Sequence, residues 1–126
     1  MVYKIKNKVN KLLLNKFVIT ISENIFFIPY EDIIFFQKQD NLTTQIHLKR
    51  GAIKCATKPL QYFINKLKTN PLFISCNDNY LLNLLHLKKY CKTNNSFLIM
   101  TNNNNIPIAK AQAKYFLKSI SKIFHL

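Results

Sequence analysis

Along this chain the spacing of apolar residues switches between an alternating period and a helical one. From Lys16 the runs are short, β-branched and aromatic. Phe17-Val18-Ile19-Thr20-Ile21 and Ile25-Phe26-Phe27-Ile28 are separated by the turn-forming Ser22-Glu23-Asn24, and Pro29 closes the second. Ile33-Ile34-Phe35-Phe36 is an unbroken apolar run of strand length, which predicts a strand buried on both faces. Gln37 to Asn41 reads as a polar turn. Thr44 to Lys49 then alternates, with Ile46 and Leu48 predicted inward and His47 on the polar face. Arg50-Gly51, holding the only glycine, marks a tight hairpin. Ala52 to Ala56 returns from it with Ile53 and Cys55 predicted inward. These five runs predict a meander.

Helical spacing first appears at Leu60, Phe63, Ile64 and Leu67, an i, i+3, i+4, i+7 set that predicts a short amphipathic helix. Thr57-Lys58-Pro59 suits its start, because proline is tolerated in a first turn and threonine can cap. Asn70-Pro71 ends it. Strands are predicted near Leu72 to Ser75, Leu81 to Leu82, Leu85 to Cys91 and Ser96 to Met100. Asn102 to Asn105 reads as a hairpin loop of biased composition, and Ile106-Pro107-Ile108 as a short edge strand. Helical spacing returns with Ala109, Ala113, Phe116 or Leu117, Ile120 and Phe124. Lys110, Lys114, Lys118 and Lys122 occupy the other face. Residues 1–15 support two readings, a helix carrying Ile5, Val9 and Leu12 or Leu13, or a basic arm that alternates like a strand.

Composition narrows the function. The 126 residues make one domain, and an apolar content of 48% is globular. Net charge is +14, which predisposes so small a domain to bind a polyanion, either nucleic acid or an anionic membrane. Nearly all of that charge is lysine, Arg50 being the only arginine, so an AT-rich genome would give the same bias. No apolar run of about 18 residues exists to span a membrane. No signal peptide is visible, and Cys55, Cys76 and Cys91 lack the spacing of a zinc site. Reduced thiols and a cytoplasmic location are expected.

Catalysis finds little support. The five acids, Glu23, Glu31, Asp32, Asp40 and Asp78, form no pair spaced for general acid–base work. His47 and His86 have no Ser or Cys partner in a catalytic arrangement. One glycine cannot build a phosphate-cradling loop. The chain is therefore expected to be no enzyme, with no cofactor, no metal and no small-molecule substrate.

The stretch Phe73-Ile74-Ser75-Cys76-Asn77-Asp78-Asn79-Tyr80-Leu81-Leu82-Asn83 resembles the signature of the LytTR family of bacterial DNA-binding domains. In that signature an aromatic opens a strand, Arg-x-His-Arg/Lys-Ser forms a turn, and Tyr-x-x-Asn closes it. Phe73, Tyr80 and Asn83 keep the frame, while Ser75, Asn77, Asp78 and Asn79 replace the polar positions. The resemblance covers roughly Lys16 to Ile123. Phe17-Val18-Ile19 is similar to the opening strand, and Asp32 to Phe36 with a turn at Asn41 to the Asp-Ile-x-aromatic element. Leu60 stands at the start of the short helix as in the family. Ile106-Pro107-Ile108-Ala109-Lys110 is similar to the closing aliphatic-Pro-aliphatic-Ser-Arg.

The resemblance implies a mainly β, elongated fold of about ten strands in small packed sheets, with a short helix and a C-terminal helix. Residues 1–15 would be the basic arm or helix and residues 16–126 the DNA-binding domain. It implies that loops, not a helix, enter the major groove of double-stranded DNA. It also implies binding to direct repeats, with two copies meeting as a homodimer on one DNA. The first DNA-facing loop would offer Lys38, Gln39, Asn41 and Thr43. The second would offer Asn77, Asp78 and Asn79, the asparagines being suited to adenine. The third would offer Lys110, with Lys114 just beyond. Asp78 departs from the family, since a carboxylate repels phosphate and pairs well only with the cytosine amino group. Ala109-Lys110-Ala111 keeps the charge but loses arginine's forked recognition of guanine. Tyr80 is assigned to packing and Asn83 to holding the turn.

Too few residues precede Lys16 for a receiver domain. The expected function is thus a stand-alone transcriptional regulator that binds DNA sequence-specifically. The alternative is a related fold that has lost specific reading and serves as a protein-interaction or inhibitory module, which Asp78, Ala109 and Ala111 favour. A weaker third idea is peripheral attachment to anionic membranes through the N-terminal lysines.

Overall fold

A computed structural model describes residues 15–92 and 95–125, and the arm or helix predicted for residues 1–15 lies, apart from Asn15, outside them. Among the described residues ten strands form three antiparallel sheets. β1 (Lys16–Ile21) and β2 (Asn24–Pro29) make a hairpin sheet. β3 (Ile33–Lys38), β4 (Thr44–Leu48), β5 (Ile53–Ala56), β6 (Phe73–Asn77) and β7 (Tyr80–Asn83) form the central sheet, in the order β5-β4-β3-β7-β6. β8 (Leu87–Cys91), β9 (Phe97–Met100) and β10 (Asn105–Pro107) form the third. α1 (Leu60–Leu67) links β5 to β6, and α2 (Ala113–Phe124) ends the chain.

The predicted five-strand meander is broken in two. β1 and β2 pair only with each other, and β7 rather than β2 lies beside β3. The reason is β3 itself, whose four apolar residues need cover on both faces. The register between β3 and β4 slips between Ile33 and Phe35. Ile33 and Phe36 consequently face one core with Phe17, Ile46, Leu60 and Phe63, while Ile34 and Phe35 face a second with Leu82, Leu98, Phe116 and Ile120. The β1–β2 hairpin and α1 cover the first face, and the third sheet with α2 covers the second.

Two of the predicted facings are corrected, one outward on β4 and one inward on β5. His47 is not on a solvated face: it is buried and stacks on Phe35 with ring centroids 4.2 Å apart. On edge strand β5 the alternation runs opposite to expectation. Lys54 pairs with Ile46 and Ala56 with Thr44, so Ile53 is 51% exposed and Cys55 exposed. Lys54 instead lays its ammonium 3.8 Å from the Phe26 ring centroid.

Smaller differences follow from local hydrogen bonding. α1 buries Leu60, Phe63 and Leu67 as predicted, but no side chain caps it and Pro59 takes the N-cap position. Leu84–His86 is a 3-10 turn, not strand, because Asn83 accepts the Leu85 amide with its side-chain oxygen. α2 begins at Ala113, leaving Ala109 in an exposed loop, and Phe124 is exposed at its end.

Candidate nucleic-acid interface

Three connections, two between strands and one from β10 to α2, are tied together by hydrogen bonds. The first, after β3, is folded on itself. The amides of Gln39 and Asp40 both donate to the Thr43 carbonyl, at 3.1 and 3.3 Å, and the Leu42 amide donates to Asp40 Oδ1 at 2.8 Å. An aspartate accepting the amide two residues on is the Asx turn that Asp-Asn sequences favour. The Leu42 amide above all holds the Asp40 carboxyl below its usual range. Lys38, Gln39 and Asn41 are exposed, whereas Thr43 is half-buried.

The second connection is the β6–β7 turn. Asn77 Oδ1 accepts the Asn79 amide at 2.7 Å, and the Lys38 amide donates to the Asn79 carbonyl at 2.8 Å. The latter bond joins the first two connections. Asp78 and Asn79 are exposed at the tip. Register slips between Ser75 and Asn77, a bulge that breaks the alternation of side chains. Both Cys76 and Asn77 in fact reach the same acceptor, the Pro107 carbonyl. Asn77 Nδ2 donates to it at 2.6 Å and the Cys76 thiol at 3.7 Å. Burial pushes that thiol up to about 12.

Pro107 ends β10 and leads into the third connection, so this carbonyl brings it against the second. Beyond it, the Ile108 amide donates to the Ser96 carbonyl and Ala109 accepts the Gln112 amide, closing a 3-10 turn at Lys110–Gln112. Ala109, Lys110 and Ala111 are exposed, and Lys114 stands exposed in the first turn of α2.

Behind the first two connections lies a polar brace. His47 Nε2 donates to Gln37 Oε1 at 3.0 Å, and Gln37 Nε2 donates to the Tyr80 hydroxyl at 3.2 Å. Tyr80 also packs edge-on against Phe35, as its assignment to packing implies. Burial lowers the His47 pKa and raises that of Tyr80, where the Cys76 thiol adds to the rise. Asn83 is fully buried at the other end of β7. Its Nδ2 donates to the carbonyls of Tyr30 and Ile33, at 3.0 and 2.9 Å, so it secures the entry to β3 and the turn after β7.

Charge on this face is mixed. Lys38, Lys110 and Lys114 make no ion pair among the described residues, where the one salt bridge, Lys49–Asp32 at 3.7 Å, lies at the opposite end of β3. Asp40 and Asp78 share the face, lining with Lys38 and Asn41 a hollow of about 160 Å³ at the start of α1. Hydrogen bonds join the connections that carry or border eight of the nine residues singled out from sequence, Lys114 lies beyond them in α2, and Asn77 has both ends of its amide engaged inside the protein. Leu42 was not singled out, yet it is 70% exposed at the tip of the first connection. Its signal was an apolar residue directly after a turn-forming Asp-Asn. Among the described residues no cluster of metal-ligating groups occurs, and no helix is long and apolar enough to cross a membrane.

Comparison with known proteins places this arrangement. The LytTr DNA-binding domain of a protein described as a methyl-accepting/DNA response regulator from Bacillus cereus superposes with a TM-score of 0.68. The match covers 84% of this chain and 96% of that one at 18% identity, which establishes likeness of fold. Among curated proteins none matches. The family model for the LytTr DNA-binding domain matches residues 23–121, a span holding all three connections and all of the central sheet. The chain belongs to the LytTR family of DNA-binding domains.

Proposed function

We propose that this protein binds double-stranded DNA sequence-specifically, as a transcriptional regulator, by setting these three connections into the major groove. The observation that carries the reading is their linkage: Lys38 to Asn79 and Asn77 to Pro107 hold three exposed polar tips on one face. A face assembled from loops can follow a groove only if the loops keep a fixed mutual spacing. In this reading Lys38, Lys110 and Lys114 meet phosphates, which positions the domain without reading sequence. Gln39, Asn41, Asp78 and Asn79 face base edges, where amides suit adenine and a carboxylate suits the cytosine amino group. Thr43 supports the first connection. Leu42 at its tip offers the apolar contact that a thymine methyl favours. Direct repeats would seat two copies side by side as a homodimer on DNA.

Fluorescence anisotropy on labelled duplexes, titrated with salt, tests the reading. Three or more lysine–phosphate contacts give a log–log salt slope of magnitude about 3 or more. A slope near zero would overturn DNA binding.

A second reading draws on Asp78, Ala109 and Ala111, which together remove basic or hydroxyl groups from the groove-facing tips. A LytTR domain without specific reading would act as a protein-interaction or inhibitory module. It would bind all duplexes alike, with affinity following charge alone.

A further inference from the structure

Asn77 sits in the signature turn, where an asparagine side chain is a natural reader of adenine. Its geometry assigns it another task. Oδ1 is committed to the Asn79 amide at 2.7 Å and Nδ2 to the Pro107 carbonyl at 2.6 Å. Bidentate adenine recognition needs one acceptor and one donor from the same amide. Each atom keeps one further hydrogen or lone pair, but the two bonds fix the amide's orientation toward the protein, so turning its edge to a base would cost them. The bulge explains the placement. Because register slips between Ser75 and Asn77, the side chain turns toward β10 where strict alternation would send it to the other face of the sheet.

We propose that Asn77 is a positioning residue: it joins the β6–β7 turn to the third connection and thereby sets Lys110 at its distance from Asp78 and Asn79. Pro107 contributes no amide hydrogen, so its carbonyl is the backbone handle by which that residue can be held. The handle takes two donors from consecutive residues, Cys76 and Asn77. Three residues downstream is Lys110, exposed and in no ion pair among the described residues. Asn77 thus acts on DNA through Lys110, and the specificity of the turn rests on Asp78 and Asn79.

This inference rests on the DNA-binding reading, and its test keeps the two apart. Asn77→Ser retains an oxygen able to accept the Asn79 amide but is too short to reach Pro107. In the free protein, amide hydrogen exchange at Ile108 to Gln112 should quicken at least threefold, with the β6–β7 turn unchanged. That arm needs no DNA. On duplex DNA, Asn77→Ser should weaken binding about three- to tenfold. It should also reduce the salt slope by about one, as Lys110→Ala does. Lys110→Ala added to Asn77→Ser should cost much less than it does alone, and base preference should stay the same. Strictly additive effects, a changed preference at one base position, or unaltered exchange at Ile108 to Gln112 would each overturn the proposal. If exchange quickens but neither variant nor wild type binds duplex, the positioning contact stands and the DNA-binding reading fails.

Discussion

The amide of Lys38 donates to the carbonyl of Asn79, 2.8 Å away across 41 residues of sequence. This bond closes the end of the β3–β7 pairing and makes two connections one rigid projection. Gln37, the residue before Lys38, pairs with Tyr80, the residue after Asn79, and their side chains bond as well. The tips carrying Asn41 and Asp78 are therefore fixed relative to each other by both main chain and side chains.

In the proposed reading, Asp78 is the residue on which specificity turns. Exposed at the tip of the β6–β7 turn, its carboxylate either meets phosphate repulsion or accepts from a cytosine amino group. Base reading predicts that Asp78→Asn shifts the preference at one position of the bound site. Repulsion predicts that Asp78→Asn and then Asp78→Lys tighten binding to every duplex a few-fold, less at high salt. Anisotropy on preferred and scrambled duplexes separates these outcomes. Equal changes on both duplexes, scaling with charge alone, would remove this turn from the groove.

Asn83 should be the costliest polar residue to lose. Truncation to alanine strands the buried carbonyls of Tyr30 and Ile33 and leaves the Leu85 amide unpartnered. The expected loss in urea unfolding is about 3 kcal/mol or more. A loss below about 1 kcal/mol would show that water replaces all three bonds.

The signature frame was legible because its members do jobs that a side chain announces. An aromatic at Phe73, a packing Tyr80 and an amide at Asn83 are all found in the roles their chemistry suggests. The short helix was legible because Leu60, Phe63 and Leu67 share one face. What alternation could not show was which faces are covered. His47 reads as polar and solvated, yet Phe35 and Gln37 of the neighbouring strand hold it in a buried place. Ile53 reads as core, yet β5 is an edge where that same face is open. Asn77 reads from sequence as a DNA contact, yet its amide is engaged within the protein, since a bulge leaves no mark in the spacing of residues.

His47 gives the fold a pH dependence. Burial lowers its pKa from 6.5, so below that value the unfolded chain binds more protons than the folded one. Stability present above pH 6.5 is lost as pH falls through the folded value. The melting temperature should therefore drop between about pH 7.5 and about pH 5.5, and drop less in His47→Gln, which keeps a partner for Gln37 without titrating. Asp40 does not contribute in this window: its lowered pKa confers stability above 3.8 that is lost only at more acid pH. Parallel melting curves for the two proteins would contradict the assignment to His47.

The central claim, specific reading of duplex DNA by the three linked connections, is tested most directly by selection from a random duplex pool at near-physiological salt. The account predicts that one sequence pattern is enriched by the wild-type protein. It further predicts that Asn41→Ala and Asp78→Asn each change the enriched pattern, at different positions, while Lys114→Ala weakens binding without changing it. A pool that stays random after repeated selection, with binding still steeply salt-dependent, would contradict specific reading and favour the module that has lost it.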